Sequence, residues 1–159
     1  MTSQPAASDQ PLEIRRVFHA PRARVWAAWT QREQLEEWMC KDVPTHQAKY
    51  VELDVRPGGR YVIEIPLPDG KYIGQGVFRE VRPPEKLVFT WSWKRLPEKP
   101  GEDLGGDSVV TVELLDRGDS TEMLFTHTGL AAGEVRESTQ RGWLGCFDVL
   151  APVLEGART

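Results

Sequence analysis

The chain predicts an α+β fold, a curved antiparallel sheet covered by one long C-terminal helix, and three observations carry that prediction. Strand-like periods run through the middle of the chain while helical periods lie after the first strand and at the C-terminal side, the segregation that defines this class. A sheet with one apolar face needs a cover, and the stretch from about Ala132 to Leu154 is the only helical segment long enough to supply it. Six tryptophans, Trp26, Trp29, Trp38, Trp91, Trp93 and Trp143, come from three distant segments, so those segments close around one apolar interior.

The elements follow in order. Leu12, Ile14, Arg16 and Phe18 alternate with Glu13, Arg15 and Val17, the period of a half-buried strand over residues 12–19. Ala20-Pro21 stops it, and Pro21 suits a first helical position. From Arg22 to Trp38 the period becomes helical through Val25, Trp26, Trp29, Leu35 and Trp38, with Thr30 placed to cap a second short helix. After a loop containing Pro44, a strand is expected from Tyr50 to Val55 and a turn at Arg56-Pro57-Gly58-Gly59. Residues 60–66 alternate through Tyr61, Ile63 and Ile65, and Pro68-Asp69-Gly70 is a hairpin turn into residues 72–82. That strand has apolar residues on both faces, Ile73, Val77 and Val81 against Tyr72 and Phe78, so its buried face stays open.

Pro83-Pro84 ends that strand, and Leu87, Phe89, Trp91 and Trp93 form one apolar face of the next. Residues 94–107 are polar and rich in Pro and Gly, which predicts a long mobile loop. Val109 to Leu115, the Arg117-Gly118-Asp119 turn and Glu122 to Thr128 make a last hairpin. The final helix carries Val135, Thr139, Trp143, Cys146, Leu150 and Val153 inward at spacings of three and four, with Glu134, Arg141 and Asp148 outward. Gly142 permits close approach of that helix to its neighbour, and Pro152 is expected to kink or fray its last turn.

With 159 residues the chain makes one domain, burying roughly two-thirds of its unfolded surface. We place it at residues 12–156, after a polar tail over residues 1–11 that is expected to be disordered and lacks the basic and apolar regions of a signal peptide. A net charge of −4, without a Lys/Arg-rich block, excludes nucleic acid as an expected partner. No segment approaches the roughly 20 apolar residues of a membrane span. Cys40 and Cys146 lie far apart without metal-ligand spacing and read as reduced thiols of a cytoplasmic protein. Gly58-Gly59 and Gly105-Gly106 fit turns rather than phosphate cradles, and neither a cofactor nor a metal is expected.

Read together, several segments resemble a known family. They are Ala20-Pro21, Val25-Trp26, Trp29-Thr30, Leu35, Trp38, Pro57-Gly58-Gly59 and Pro68-Asp69-Gly70. They continue with Gly76-Val77-Phe78-Arg79-Glu80-Val81, Pro83-Pro84, Leu87-Val88-Phe89-Thr90-Trp91, His127-Thr128-Gly129-Leu130, Gly142-Trp143, Phe147-Asp148 and Leu150. In this order and spacing the chain resembles the family named after the C-terminal domain of the activator of the heat-shock protein 90 ATPase. That family lies within the START-like or Bet v 1-like (SRPBCC) superfamily. The resemblance implies a helix-grip fold, a curved sheet holding the long C-terminal helix, often with an apolar cavity between them. It does not imply one activity, because members range from ligand carriers to cyclase-like enzymes. The eukaryotic activator also carries an N-terminal domain that engages the chaperone, and only a short tail precedes Leu12 here, which counts against a chaperone partner.

The expected function is therefore binding of a small apolar or aromatic ligand between sheet and C-terminal helix. The expected lining is Trp38, Tyr61, Ile63, Phe89, Trp91, Met123, Phe125, His127, Trp143 and Phe147. His127 shares a strand face with Met123 and Phe125 and is the expected polar handle, set against a histidine that merely ends the strand. Cys40 with His46 or Asp42 could form a nucleophile–base pair, but no oxyanion motif accompanies them, and no catalytic residue is expected. Glu64 and Glu113 fall on outward faces, and Glu80 either faces solvent or sits buried beside an arginine. Two rival functions remain, a cyclase- or dehydratase-like enzyme and a chaperone-interacting stress-response module. A homodimer stays open.

Overall fold

The computed structural model describes residues 11–41, 47–102, 104, 106–130 and 133–156. Strand β1 (Leu12–Phe18) is followed by helices α1 (Arg22–Thr30) and α2 (Arg32–Trp38). Strands β2 (Lys49–Leu53), β3 (Arg60–Leu67), β4 (Gly70–Arg82), β5 (Lys86–Leu96), β6 (Ser108–Asp116) and β7 (Thr121–Thr128) come next, and α3 (Glu134–Glu155) ends the fold. The seven strands form one antiparallel sheet in the order β1-β7-β6-β5-β4-β3-β2. The α+β helix-grip architecture is thus present, with α3 against the inner face of the curved sheet.

The sheet order gives α1 and α2 their task. β1 and β2 occupy opposite edges, so the two short helices carry the chain across the width of the sheet. They bury Val25, Trp29, Leu35 and Trp38 as they cross. Thr30 does not cap α2, because its hydroxyl bonds back to the Trp26 carbonyl at 2.8 Å. Gln31 takes the cap position instead, without a side-chain bond.

Strand parity places the core. In β1 the inward set Leu12, Ile14 and Phe18 is buried while Val17 faces out. Arg16 also points inward along this edge strand, where it pairs with Asp148 of α3 at 2.8 Å. β4 resolves the two-faced pattern by a bulge between Phe78 and Glu80, which switches the inward parity. Tyr72, Gly74 and Phe78 face in before the bulge and Val81, paired with Leu87, after it, while Val77 is exposed. Glu80 is on the outer side with Arg82 at 2.7 Å and Lys86 at 3.6 Å, partly open to water. Glu64 likewise meets Lys71 on the outer face at 3.2 Å.

Several details differ from expectation, among them β2, which ends at Leu53 rather than Val55. β5 runs to Leu96, because Lys94, Arg95 and Leu96 keep pairing with β4, so the connection to β6 begins only at Pro97. In α3 the buried C-terminal position is Leu154 rather than Val153, one residue further round the helix. The same helix continues past Pro152 to Glu155. A proline so near the end withdraws only one late backbone donor. Among the described residues no helix is long and apolar enough to cross a membrane.

Candidate functional site

The inner face of the sheet and α3 meet differently at their two ends. Towards its C-terminal half α3 inserts Phe147, Leu150 and Leu154, all at most 1 % exposed. Trp29 and Trp38 from the short helices pack there too, edge to face with ring centroids 4.7 Å apart, each about 6.1 Å from Phe147. Phe125 closes the set, 5.2 Å from Phe147. Towards its N-terminal half α3 offers Val135, Ser138, Thr139 and Gly142, which are too small or too polar to reach the sheet. A cavity of about 680 Å³ remains between that half, Trp91 and Trp93 of β5, Ile65 of β3, Tyr72 of β4, Met39 and Cys40 after α2, and Gly101 and Leu104 of the β5–β6 connection. That volume is within the range of small-molecule sites.

The cavity wall is aromatic. Trp91 and Trp93 stand nearly perpendicular with centroids 5.5 Å apart, Tyr72 lies 6.3 Å from Trp93 at 71°, and Trp143 lies 5.0 Å from Trp91. Gly74 makes room for this wall: a Cβ there would come within 3.0 Å of the Trp93 ring. Tyr72 donates its hydroxyl hydrogen to Glu102 at 2.9 Å. Burial, together with that carboxylate, raises the phenol above its ordinary range.

His127 belongs to the wall's support rather than to its surface. The Trp143 indole N–H donates to His127 Nδ1 at 3.1 Å, and His127 Nε2 lies 2.7 Å from the Ser108 hydroxyl. An indole only donates, so Nδ1 must be the acceptor and the neutral ring carries its hydrogen on Nε2. Nε2–H then donates to Ser108, whose own hydrogen goes to the Trp91 carbonyl at 3.0 Å. One chain of bonds so ties α3 to β7, β6 and β5, and both ring nitrogens are used. Burial lowers the imidazole to about 4, because the charged form would lose water and face the Trp143 N–H.

The ten expected lining residues divide accordingly. Trp91 and Trp143 line the cavity. Tyr61 and Phe89, with Trp91 again, border a separate crevice of about 10 Å³, the room of roughly one water molecule. Trp38, Ile63, Met123, Phe125, His127 and Phe147 are wholly buried in packing away from the cavity. Tyr61 is pinned by donating its hydroxyl to the Thr90 carbonyl. Sequence reasoning passed over Trp93, Tyr72, Ile65, Met39 and Cys40 as lining. The inward helical face through Val135, Thr139, Trp143 and Cys146 was the signal that could have found the α3 side.

Chemically the arrangement can hold a small molecule in a recess that stays partly open. Both thiols are reduced, and both border the cavity, Cys40 with a left-handed backbone at φ 61. Asp42 and His46, the expected partners of Cys40, lie outside the described residues. Among the described residues no cluster of three His, Cys, Asp or Glu could hold a metal ion.

Comparison with known proteins fits this architecture. A crystal structure of a protein from Chromobacterium violaceum is similar to the chain with a TM-score of 0.78 at 24 % identity, covering 91 % of this chain and 96 % of that one. A solution structure from Arthrobacter aurescens is similar at 26 % identity and TM-score 0.73, over 92 % and 86 % of the two chains. A crystal structure of a protein from Mycobacterium smegmatis is similar at 25 % identity and TM-score 0.74, over 94 % and 93 %. No curated protein matches the chain significantly. The family model described as Activator of Hsp90 ATPase homolog 1-like protein matches residues 19–155, from the end of the first strand through the gripped helix, and the chain belongs to that family.

Proposed function

We propose that this protein binds a small apolar or aromatic molecule in the cavity between the N-terminal half of α3 and the sheet. The observation that carries the reading is the cavity itself, about 680 Å³ walled by Trp91, Trp93, Trp143 and Tyr72. A packed interior leaves few voids larger than a water molecule, so a space of this size needs support to persist. The His127 network supplies that support by fixing Trp143 and the Trp91 backbone from behind. The enzyme reading is weaker because the interior histidine has both nitrogens committed and does not border the cavity.

The test is a titration with the neutral fluorophore N-phenyl-1-naphthylamine, following Trp emission. Trp91, Trp93 and Trp143 should be quenched saturably, at a stoichiometry near one. Absence of saturable quenching with this and other neutral apolar dyes overturns the reading.

A further inference from the structure

We propose that the ligand carries one hydrogen-bond acceptor, a carbonyl or ether oxygen, at its innermost end, and that the Trp29 indole N–H receives it. The inference rests on the ligand-binding reading above and adds the chemistry of one end of the molecule.

The first observation is an unmet donor. Trp29 of α1 is 2 % exposed, and its Nε1 is buried without a hydrogen-bond partner among the described residues. The other buried indoles of the core differ: Trp38 donates to the Ala28 carbonyl at 2.9 Å and Trp143 to His127 at 3.1 Å. A buried N–H left unpaired has given up its water for nothing, so a group that meets it gains what the protein lost. An indole only donates, and that group must therefore accept.

The second observation is the surroundings of Trp29. It borders the crevice of about 10 Å³, where a single oxygen atom has room. Most of the border is apolar, through Leu35, Leu53, Met39, Phe78 and Phe89. A water there would want two to four polar partners. A ligand oxygen, held in place by its own carbon frame, is satisfied by one donor.

The third observation is continuity. Met39 and Trp91 border both the crevice and the cavity of about 680 Å³, so these two side chains are the partition between them. The Trp91 backbone is held by Ser108. Met39 lies just past α2, and its unbranched thioether side chain can turn aside. An apolar body in the larger space can then send one oxygen past Met39 to Trp29.

The experiment uses 2-acetylnaphthalene and 2-isopropenylnaphthalene, which have the same shape and differ in carrying C=O or C=CH2. In protein labelled with nitrogen-15 at tryptophan, the Trp29 Nε1–H resonance is assigned through its own ring protons. It should move downfield with the ketone and not with the alkene, since the ring currents of the two probes are alike. Affinities are read by displacement of N-phenyl-1-naphthylamine. Trp29→Phe, which lacks the N–H, should lower the ratio of ketone to alkene affinity about fivefold. Met39→Ala, which opens the partition, should raise that ratio about threefold. Both comparisons are made within one variant, so a general loosening of the fold cancels. Equal shifts with both probes bound, or a ratio that both variants leave unchanged, overturns the inference while the cavity reading survives. Failure of the ketone where N-phenyl-1-naphthylamine binds also overturns it alone. Failure of that dye as well removes both.

Discussion

The two halves of α3 face the same sheet and reach opposite outcomes. The C-terminal half carries Phe147, Leu150 and Leu154 at spacings of three and four and meets Trp29 and Trp38, which α1 and α2 bring in as a further layer. It is also tied at its rim, by Arg16 to Asp148 and by Arg24 to the Val153 carbonyl at 3.1 Å. The N-terminal half has neither the large side chains nor the extra layer, and there the space stays open. Hollowness here is decided less by the sheet, which is aromatic along β5 at both ends, than by which stretch of helix receives cover. Trp143 marks the border, touching Phe125 at 4.7 Å on the packed side and Trp91 on the open side.

The largest effect should come from the packed end. Phe147→Ala removes a wholly buried ring from the junction of α3, α1 and the sheet, and should cost about 3–5 kcal/mol in urea unfolding. A loss near 1 kcal/mol would mean that this end also relaxes freely, and the comparison would fail.

Next in size is the pH dependence of the support between the halves. His127 titrates at about 4 in the folded protein against an ordinary value of 6.5. Its folded-state value is lowered, so the neutral ring is the stable form and its contribution is complete above pH 6.5. It is lost as pH falls from 6.5 towards 4, by about 3 kcal/mol in all at 1.36 kcal/mol per unit. Carboxylates titrate in the same window, so the measurement is the difference between wild type and His127→Gln. That difference should shrink by about 3 kcal/mol between pH 7 and pH 4; a constant difference would detach His127 from the network.

At the open end the same kind of truncation should matter less. Trp93→Ala removes a half-buried ring from the cavity wall and should cost only about 1 kcal/mol, while weakening N-phenyl-1-naphthylamine at least several-fold. A loss as large as that of Phe147→Ala would show Trp93 to be core.

How far the sequence could be read follows the same division. Local period sufficed for the strands and for the helix-grip class, because Leu87, Phe89, Trp91 and Trp93 alternate strictly and α3 repeats at three and four. The bulge in β4 had no local signature, so the buried face of that strand emerged only from its pairing with β5. The cavity was harder still. Trp38 and Phe147 look like Trp91 and Trp93 in a one-dimensional pattern, and what separates filling from lining is where α1 and α2 come to lie. His127 was visible as the interior imidazole, but its partners Ser108 and Trp143 lie 19 and 16 residues away, and nothing local announces them.

The smallest predicted change is the most discriminating, because its sign differs between the two ends. Thr139 borders the cavity on the inward face of α3. Thr139→Trp adds a large ring there without removing a buried contact, and Trp and Thr have similar helix propensities. In a packed interior such an insertion forces side chains off their rotamers and costs typically about 1–3 kcal/mol. In the open half of α3 the ring has space to enter and apolar neighbours in Trp91 and Val135. Stability should therefore stay within about 0.5 kcal/mol of wild type, as for a surface change. The dye should lose most of its affinity, because the volume it needs is taken. Leu150→Trp, the matching insertion at the packed end, should cost the full overpacking penalty and leave the cavity's stoichiometry near one. If Thr139→Trp destabilises as much as Leu150→Trp, the space is already filled by the protein's own side chains in solution, and the two halves of α3 are alike after all.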